Sequence, residues 1–192
     1  MAFRLLKSHT VGKHVLQLGS TQAWKAKPGY RIFVIDNGAV RFEFPADWAM
    51  SVDEKHVRFT RQPPPHDECG LILSTRLISP RVACVPLSLL LDDAASTDAR
   101  PMVRRGPAIC LFRPPMEAAW SQMQFHNPAD GRETCSRVCL ARAGCTLVII
   151  VFDFWSEDEL VLYGVWSTFL ETLRIGEYFA DPTTGQRREK WG

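Results

Sequence analysis

The sequence predicts an α+β fold in which helices pack on an antiparallel sheet. Three observations support this: β-rich segments recur in pairs with short turns between them, one helical pattern interrupts them, and a second follows the last strand. The 192 residues are 46% hydrophobic and 23% charged, which is ordinary for a globular chain and excludes a disordered or coiled-coil protein. The length predicts one domain at residues 29–178, with an N-terminal arm or extra strand at 1–28 and a polar C-terminal tail at 179–192.

The first strands are predicted to form a hairpin. Residues 31–36 and 39–44 are β-rich, and Asn37-Gly38 between them favours a tight turn because both residues tolerate positive φ. The prolines after Gln62 interrupt the chain, since proline fixes φ and removes a donor. Around this break the pattern predicts three more strands, at residues 49–52, 56–60 and 71–78.

A helix is predicted at residues 86–96. Pro86 suits the first helical turn, and apolar residues recur on one helical face, namely Leu87, Leu90, Leu91, Ala94 and Ala95. Residues 97–107 are predicted to be a polar, basic loop. Four strands follow, the last three joined as hairpins, at residues 108–112, 118–125, 134–141 and 145–154.

The last helix is predicted to begin with a capping box and to run to about Arg174. In Ser156-Glu-Asp-Glu159 the serine oxygen can accept from the Glu159 amide while the carboxylate returns to the serine amide. Gly176 suits a left-handed stop after the last turn. The predicted core-facing stripe contains Leu160, Tyr163, Trp166, Phe169, Leu170 and Leu173.

The order of elements resembles the PsbP/Mog-like superfamily, including its bacterial DcrB-like branch, over residues 30–178. The resemblance rests on Phe42-Glu-Phe-Pro-Ala-Asp-Trp48 early in the chain and Phe169-Leu-Glu-Thr-Leu-Arg-Ile175 late in it. It implies an α/β/α sandwich around an antiparallel sheet. It also implies a non-catalytic adaptor, since superfamily members include a photosystem accessory subunit, a binder of the GTPase Ran and chaperone-like proteins of bacterial secretion systems. The superfamily has no shared catalytic residues to carry over.

Two clusters have the residue types of metal ligands but the wrong spacing. His66-Asp67-Glu68-Cys69 places four such residues in a row, whereas zinc ligands are usually separated and paired with a distant second set. A solvated loop explains that cluster better. Cys135, Cys139 and Cys145 are not a Cys-x-x-Cys motif, and small buried thiols in a sheet account for them. We therefore predict no metal site, and cysteines that are reduced and mostly buried.

No enzyme motif stands in the sequence. It contains no Gly-x-Ser-x-Gly elbow, phosphate-binding glycine loop, dinucleotide fingerprint or His-Glu-x-x-His helix. A cysteine nucleophile needs a histidine beside it, and sequence alone brings none of the five histidines to a thiol. The acidic residues near Ser156 are explained by capping and the helix dipole. We assign no catalytic residue and no cofactor.

The candidate partner-binding residues are aromatic and basic side chains that we expect to be exposed. Aromatic residues are enriched at protein interfaces, and Arg104 and Arg105 lie in the predicted basic loop. The set is Trp48, Arg104, Arg105, Trp120 and Trp155. For Trp48 a structural corner is the favoured interpretation, because Pro45 ends a strand and the indole can close one edge of the core.

The missing enzyme motifs and the resemblance together predict a non-enzymatic binding or adaptor module, which the resemblance implies is chaperone-like and of bacterial type, and whose partner is another protein. The formal net charge of +2 gives little reason to expect nucleic acid. The first residues lack the apolar stretch of about 7 to 15 residues of an export signal, so we expect a cytoplasmic location and no membrane span. Two alternatives stay open: a cysteine- or metal-dependent hydrolase with a site assembled from distant loops, and a carrier of a small apolar ligand.

Overall fold

The computed structural model describes residues 25–35, 39–53, 55–62, 69–127, 131–177, 179–181 and 186–187. Its strands are β1 Tyr30–Ile35, β2 Val40–Pro45, β3 Ala49–Val52, β4 Val57–Thr60, β5 Gly70–Leu77, β6 Met102–Arg105, β7 Ile109–Arg113, β8 Met116–His126, β9 Glu133–Ala143, β10 Thr146–Trp155, β11 Arg174–Ile175, β12 Phe179–Asp181 and β13 Gln186–Arg187. Its helices are α1 Pro80–Ala83, α2 Leu87–Ser96 and α3 Glu159–Thr172, and a turn of 3-10 helix, Ser156–Asp158, precedes α3.

An eight-stranded antiparallel sheet organises the fold. Its order is β3-β4-β5-β10-β9-β8, and both β6 and β7 pair with the far side of β8. The strands β8, β9 and β10 are the longest and form two successive hairpins, because each is rich in apolar residues and Gly144 adopts a positive φ in the second turn. This sheet is the surface on which the other elements pack.

One face of the large sheet is covered by α3 and by a second sheet of three strands, in the order β1-β2-β11. Aromatic residues fill the space between them. Phe42 of β2 contacts Phe169 of α3 with ring centroids 4.9 Å apart, and Trp166 of α3 stacks on Phe152 of β10 at 5.9 Å. We call this side of the large sheet the α3 face.

The opposite face is covered by α2. The helix buries one stripe against odd-numbered residues of β8 and even-numbered residues of β9, because successive strand side chains point to opposite faces. This second core contains Leu87, Leu91, Ala95, Ala119, Met123, Phe125, Val138, Leu140 and Leu147. Helices on both sides of an antiparallel sheet confirm the predicted α+β class and the sandwich arrangement.

Most predicted strands are confirmed to within two residues, and α2 begins after Pro86 as predicted. The predicted loop at 97–107 is wrong in part, because residues 102–105 form β6. The turn Asn37-Gly38, most of the predicted arm and the cluster His66 to Glu68 lie outside the described residues. Within the predicted tail, the described residues form the strand pair β12–β13.

The predicted start of the last helix is wrong. Asp158 precedes α3, and no side chain caps the first amides. The hydroxyl of Ser156 instead lies 3.3 Å from the Cys135 thiol, while the Glu159 carboxylate accepts a hydrogen bond from Gln122. Interactions with strands of the large sheet have therefore replaced the local capping box.

The predicted stripe of α3 is partly wrong. Trp166 and Phe169 are buried as predicted, but Leu160 is 90% exposed and Tyr163 is also exposed. The helix ends at Thr172, earlier than expected, because Leu173 is extended. Gly176 has the predicted positive φ of 77°, but it follows β11, where its amide donates to the Ala39 carbonyl.

The cysteines are all free, and half of them are exposed. Cys69, Cys135 and Cys139 are buried as predicted. The prediction that the cysteines are mostly buried is wrong for the thiols that lie at the end of α1, on the edge strand β7 and in the β9–β10 turn, which are Cys84, Cys110 and Cys145.

Candidate functional site

A polar pocket opens on the α3 face, between the outer edge of the large sheet and the first turn of α3. It has a volume of about 260 Å³. Its lining comes from three elements and one connection: β6, the β6–β7 link, β8 and α3. The lining residues are Arg104, Gly106, Gln122, Gln124 and Glu159.

The strand register explains why these residues meet. Gln122 and Gln124 are two residues apart on β8, so both side chains project from the same face as Trp120, which packs against the α3 core. Arg104 stands opposite Gln124 in the β6–β8 ladder. The link after β6 is held close to β8, because the Gly106 amide donates to the Gln122 carbonyl at 2.8 Å.

A buried arginine lies beneath the pocket. The Arg137 side chain is 3% exposed, and its Nε donates to Gln122 Oε1 at 2.8 Å. Its Nη2 lies 3.3 Å from Glu159 Oε1, which also accepts from Gln122 Nε2 at 2.8 Å. Burial lowers the pKa of Arg137, and the nearby Glu159 carboxylate opposes that shift. The three side chains thus form one connected floor.

Aromatic rings complete the surroundings of Arg137. Its guanidinium lies 5.0 Å from the ring centre of Phe154 and 5.9 Å from that of Trp166, distances at which a cation is attracted to a ring face. Its Nη1 atom is buried and has no hydrogen-bond partner among the described residues. The floor of the pocket is therefore anchored in the main core and is held in place by packing.

The charges around the pocket do not cancel. Arg137 and Glu159 compensate each other, because they are in direct contact. Arg104 is exposed and makes no ion pair or hydrogen bond with any residue that the structure describes. Its neighbour Arg105 points to the other face and pairs with Asp92 at 2.5 Å. The pocket therefore presents one uncompensated positive charge, at its rim.

The pocket adjoins the outer edge of the large sheet. In the described part of the chain, β6 and β7 pair with β8 and with no other strand, so their outer sides have no strand partner. We call this line the open edge, residues 102–105 and 109–113. It carries exposed apolar side chains on both faces, among them Ile109 on the α3 face and Phe112 on the opposite face.

Two of the three buried thiols, Cys69 and Cys139, are poor nucleophiles. Burial raises the pKa of Cys139 to about 12, and burial together with the nearby Asp158 carboxylate raises that of Cys69 to about 12. A thiol must ionise to attack.

Among the described residues no group of three His, Cys, Asp or Glu side chains is placed to hold a metal ion. None of the helices that the structure describes has the length and apolar character of a bilayer span.

Of the residues that the sequence proposed for partner binding, Arg104 alone lines the pocket. Trp48 is buried against Phe152, with ring centroids 6.0 Å apart. This position agrees with a structural corner rather than a binding surface. Arg105 is paired on the α2 side. Trp120 is half-buried and contacts Trp166 edge-on, and Trp155 lies under the guanidinium of Arg132 at 3.7 Å.

Sequence reasoning missed the rest of the pocket. Gln122, Gln124 and Glu159 come from distant segments, and only the β8–β9 register brings the Gln122 position opposite Arg137. The sequence does contain one indication of a buried polar site. Arg137 lies between Cys135 and Cys139 on a strand face that is otherwise apolar from Cys135 to Ala143. A charge at an inward position of a strand marks a buried polar site.

Comparison with known proteins matches the chain to one family. The model of the Alr1449 family matches residues 31–179. The chain is 33% identical over 175 residues to a protein of Nostoc sp. strain PCC 7120 named "Uncharacterized protein alr1449", with 90% of this chain and 91% of that protein covered. The match includes the open edge and all the residues that line the pocket.

One solved structure shares the fold at low sequence identity. A crystal structure from Bacteroides thetaiotaomicron VPI-5482 superposes with a TM-score of 0.55 and 13% identity, over 85% of this chain and 50% of that one. The chain thus spans half the length of that structure. The solution structure of the cyanobacterial PsbP, CyanoP, from Synechocystis sp. PCC 6803 gives a TM-score of 0.49 and 9% identity, over 82% of this chain and 98% of that one.

Proposed function

The chain belongs to the Alr1449 family, and from this premise we propose that it is a non-enzymatic module that binds another protein. The partner contributes an extended segment, which lies along the open edge as an added strand. The adaptor or chaperone-like role and the DcrB-like branch expected from the sequence are parts of the same proposal.

The observation that supports this function is that the outer sides of β6 and β7 have no strand partner within the described residues. A strand without a neighbour leaves backbone amides and carbonyls available to another chain, and many binding modules take an extended peptide in this way. Ile109 is 42% exposed and Phe112 is 76% exposed, and they lie on opposite faces of β7. An added strand would cover apolar surface on both faces of the sheet, which stabilises the complex beyond its backbone hydrogen bonds.

The two alternatives have less support. For a thiol hydrolase, Cys69 and Cys139 are unsuitable nucleophiles, because burial raises their pKa values to about 12. A carrier of an apolar ligand would need an apolar cavity, whereas arginine, glutamine and glutamate side chains line the pocket described here.

A cytoplasmic location remains part of the proposal. Exposed free thiols are typical of proteins in a reducing compartment, and the exposed cysteines of this chain lie on three separate elements.

Hydrogen exchange with a short extended peptide tests the proposal. We expect a blocked peptide of alternating threonine and valine residues to slow amide exchange in β6 and β7. The variant Ile109→Lys/Phe112→Lys places charges on the open edge and removes apolar surface worth about 1.5–3 kcal/mol per buried side chain, so it should weaken binding at least about tenfold.

The matched control is Leu77→Lys, an exposed apolar position on β5, which β10 and β9 separate from β8 and the open edge, and this variant should bind as the unmodified chain does. Protection that appears on β3, at the other end of the large sheet, would contradict the proposal. So would equal binding by the edge variant and the control.

A further inference from the structure

We infer that the pocket beside the open edge receives a carboxylate of the bound segment, so that the module selects extended peptides with a glutamate or aspartate side chain at one position. This inference rests on the proposed function and names the chemistry of its partner. It concerns the polar pocket, which strand addition alone does not require.

The position of the pocket fits a side chain from an added strand. Neighbouring strands lie about 4.7–4.9 Å apart, so an added strand stands one such step beyond β6 and two steps beyond β8. Every second side chain of that strand projects on the α3 face, where Arg104 lines the pocket from β6. A carboxylate on a side chain of two or three carbons reaches across one strand spacing to the guanidinium.

The charge of the pocket selects an anion. Both donors to Glu159 Oε1 come from the floor, Arg137 and Gln122, so this carboxylate is already compensated. Arg104 is the cation at the rim that makes no ion pair within the described residues. A guanidinium binds a carboxylate through two parallel hydrogen bonds, which gives both affinity and orientation.

The neutral groups of the pocket add recognition. Gln124 lines the pocket, and its Nε2 makes only a long contact of 3.9 Å, to the Cys135 thiol. An amide group with a spare donor can bind the second oxygen of a carboxylate. A lysine side chain from the partner would instead place a second positive charge beside Arg104, and two neighbouring like charges repel each other. Glutamine would keep the size of glutamate without the charge.

Three peptides that differ at one residue test the inference. Each is a blocked peptide of alternating threonine and valine, with glutamate, glutamine or lysine at the central position, and its affinity is measured by fluorescence anisotropy. We expect glutamate to bind about tenfold more tightly than glutamine, and lysine to bind more weakly than either. Arg104→Gln should bind the glutamate and glutamine peptides equally. Its affinity for the glutamine peptide should be the same as that of wild type, because only the extra affinity for glutamate is lost.

The matched control is Arg105→Gln. It removes the same charge from the same strand, but on the side that pairs with Asp92, so the preference for glutamate should persist. If wild type binds the glutamate and glutamine peptides equally, the carboxylate pocket is wrong while strand addition stands. The carboxylate pocket is also wrong if Arg105→Gln loses the preference as fully as Arg104→Gln does.

A second measurement reports on the pocket without the open edge. Titration with glutamate blocked at both ends should shift the side-chain amide signals of Gln122 and Gln124 in NMR spectra of the full chain. Blocked glutamine at the same concentration should not shift them, nor should blocked glutamate added to Arg104→Gln. If the blocked glutamate leaves these signals unchanged in wild type, the inference is overturned, whatever the peptides do.

Discussion

Removing Glu159 should destabilise the protein because it leaves a buried charge without its partner. Breaking a fully buried ion pair by deleting one member costs about 3–5 kcal/mol. The Arg137 side chain is 3% exposed but that of Glu159 is 38% exposed, so water can replace part of what the carboxylate supplies. We therefore expect Glu159→Ala to lower the free energy of unfolding by about 2–3 kcal/mol, including the acceptor that Gln122 loses.

Removing Arg137 should cost less, although its side chain is larger and more deeply buried. In Arg137→Met the Gln122 oxygen loses a donor, which costs about 1–3 kcal/mol. Transfer of the guanidinium out of water, which costs several kcal/mol in the native protein, is no longer required. We expect these effects to offset each other, so that the free energy of unfolding stays within about 1 kcal/mol of wild type.

A double-mutant cycle separates this charge effect from other roles of Glu159 at the start of α3. Urea unfolding followed by tryptophan fluorescence gives the four stabilities. In the Arg137→Met background, Glu159→Ala should cost no more than about 1 kcal/mol, the value of its interaction with the helix dipole, and the coupling free energy should be about 2 kcal/mol. If Glu159→Ala costs the same in both backgrounds, the carboxylate does not compensate the buried guanidinium and our charge balance for the pocket fails.

The remaining predictions concern the core, the thiols and one turn. Leu160→Ser should change the free energy of unfolding by less than about 0.5 kcal/mol, because this side chain is exposed, while Phe169→Ala should cost about 3–5 kcal/mol; similar losses in urea titrations of the two variants would argue against the observed orientation of α3. In the native protein a thiol reagent should label three cysteines, counted by mass spectrometry, and after unfolding it should label all six; native labelling at Cys139 would count against its burial. The pKa of Cys139 is raised from about 8.5 when unfolded to about 12 when folded, so its contribution to stability is complete below pH 8.5 or so and is lost as the pH rises toward the folded value. Between those limits the wild-type unfolding free energy should fall more steeply with pH than that of Cys139→Ala, by up to about 1.4 kcal/mol per pH unit, and parallel curves would refute the shift. Gly176→Ala should cost about 1–3 kcal/mol, since φ is +77° and the new Cβ would lie 2.9 Å from Ala143 Cβ; an unchanged thermal midpoint would show that this turn relaxes freely.

The long strands of the large sheet could be predicted from the sequence because their evidence is local. In β8, β9 and β10, β-rich segments are bounded by short polar turns, and the segments and the turns lie within a few residues of each other. The small strand β6 was missed for the opposite reason. Residues 102–105 have two arginines and no alternation, and it is the ladder to β8 that makes them a strand.

The orientation of α3 could not be fixed from periodicity. Four apolar residues stand in succession near its start, from Leu160 to Tyr163, so several helical faces have similar apolar content. The observed face is the one that includes Leu162, Trp166 and Phe169, chosen by the aromatic residues of β2 and β10. Tertiary packing thus decided between alternatives that local sequence leaves equal.

The candidate site was the least predictable part, because its residues become neighbours only through the sheet. Arg104 was singled out from its sequence, but as one basic residue among several in a presumed loop. The glutamines of β8 carried no signal by themselves. The inward position of Arg137 indicates a buried polar cluster, but it does not indicate which segments satisfy it.

The three-stranded sheet has a consequence for how the protein folds. Its central strand, β2, lies near the beginning of the described chain, while its neighbour β11 comes after α3. The hydrogen bond from the Glu43 amide to the Thr172 hydroxyl joins residues 129 positions apart in sequence. Such long-range closure gives a fold a high contact order, which slows folding because chain entropy is lost before the contacts form. During synthesis, therefore, the side of β2 that pairs with β11 has no strand partner until nearly the whole domain has left the ribosome.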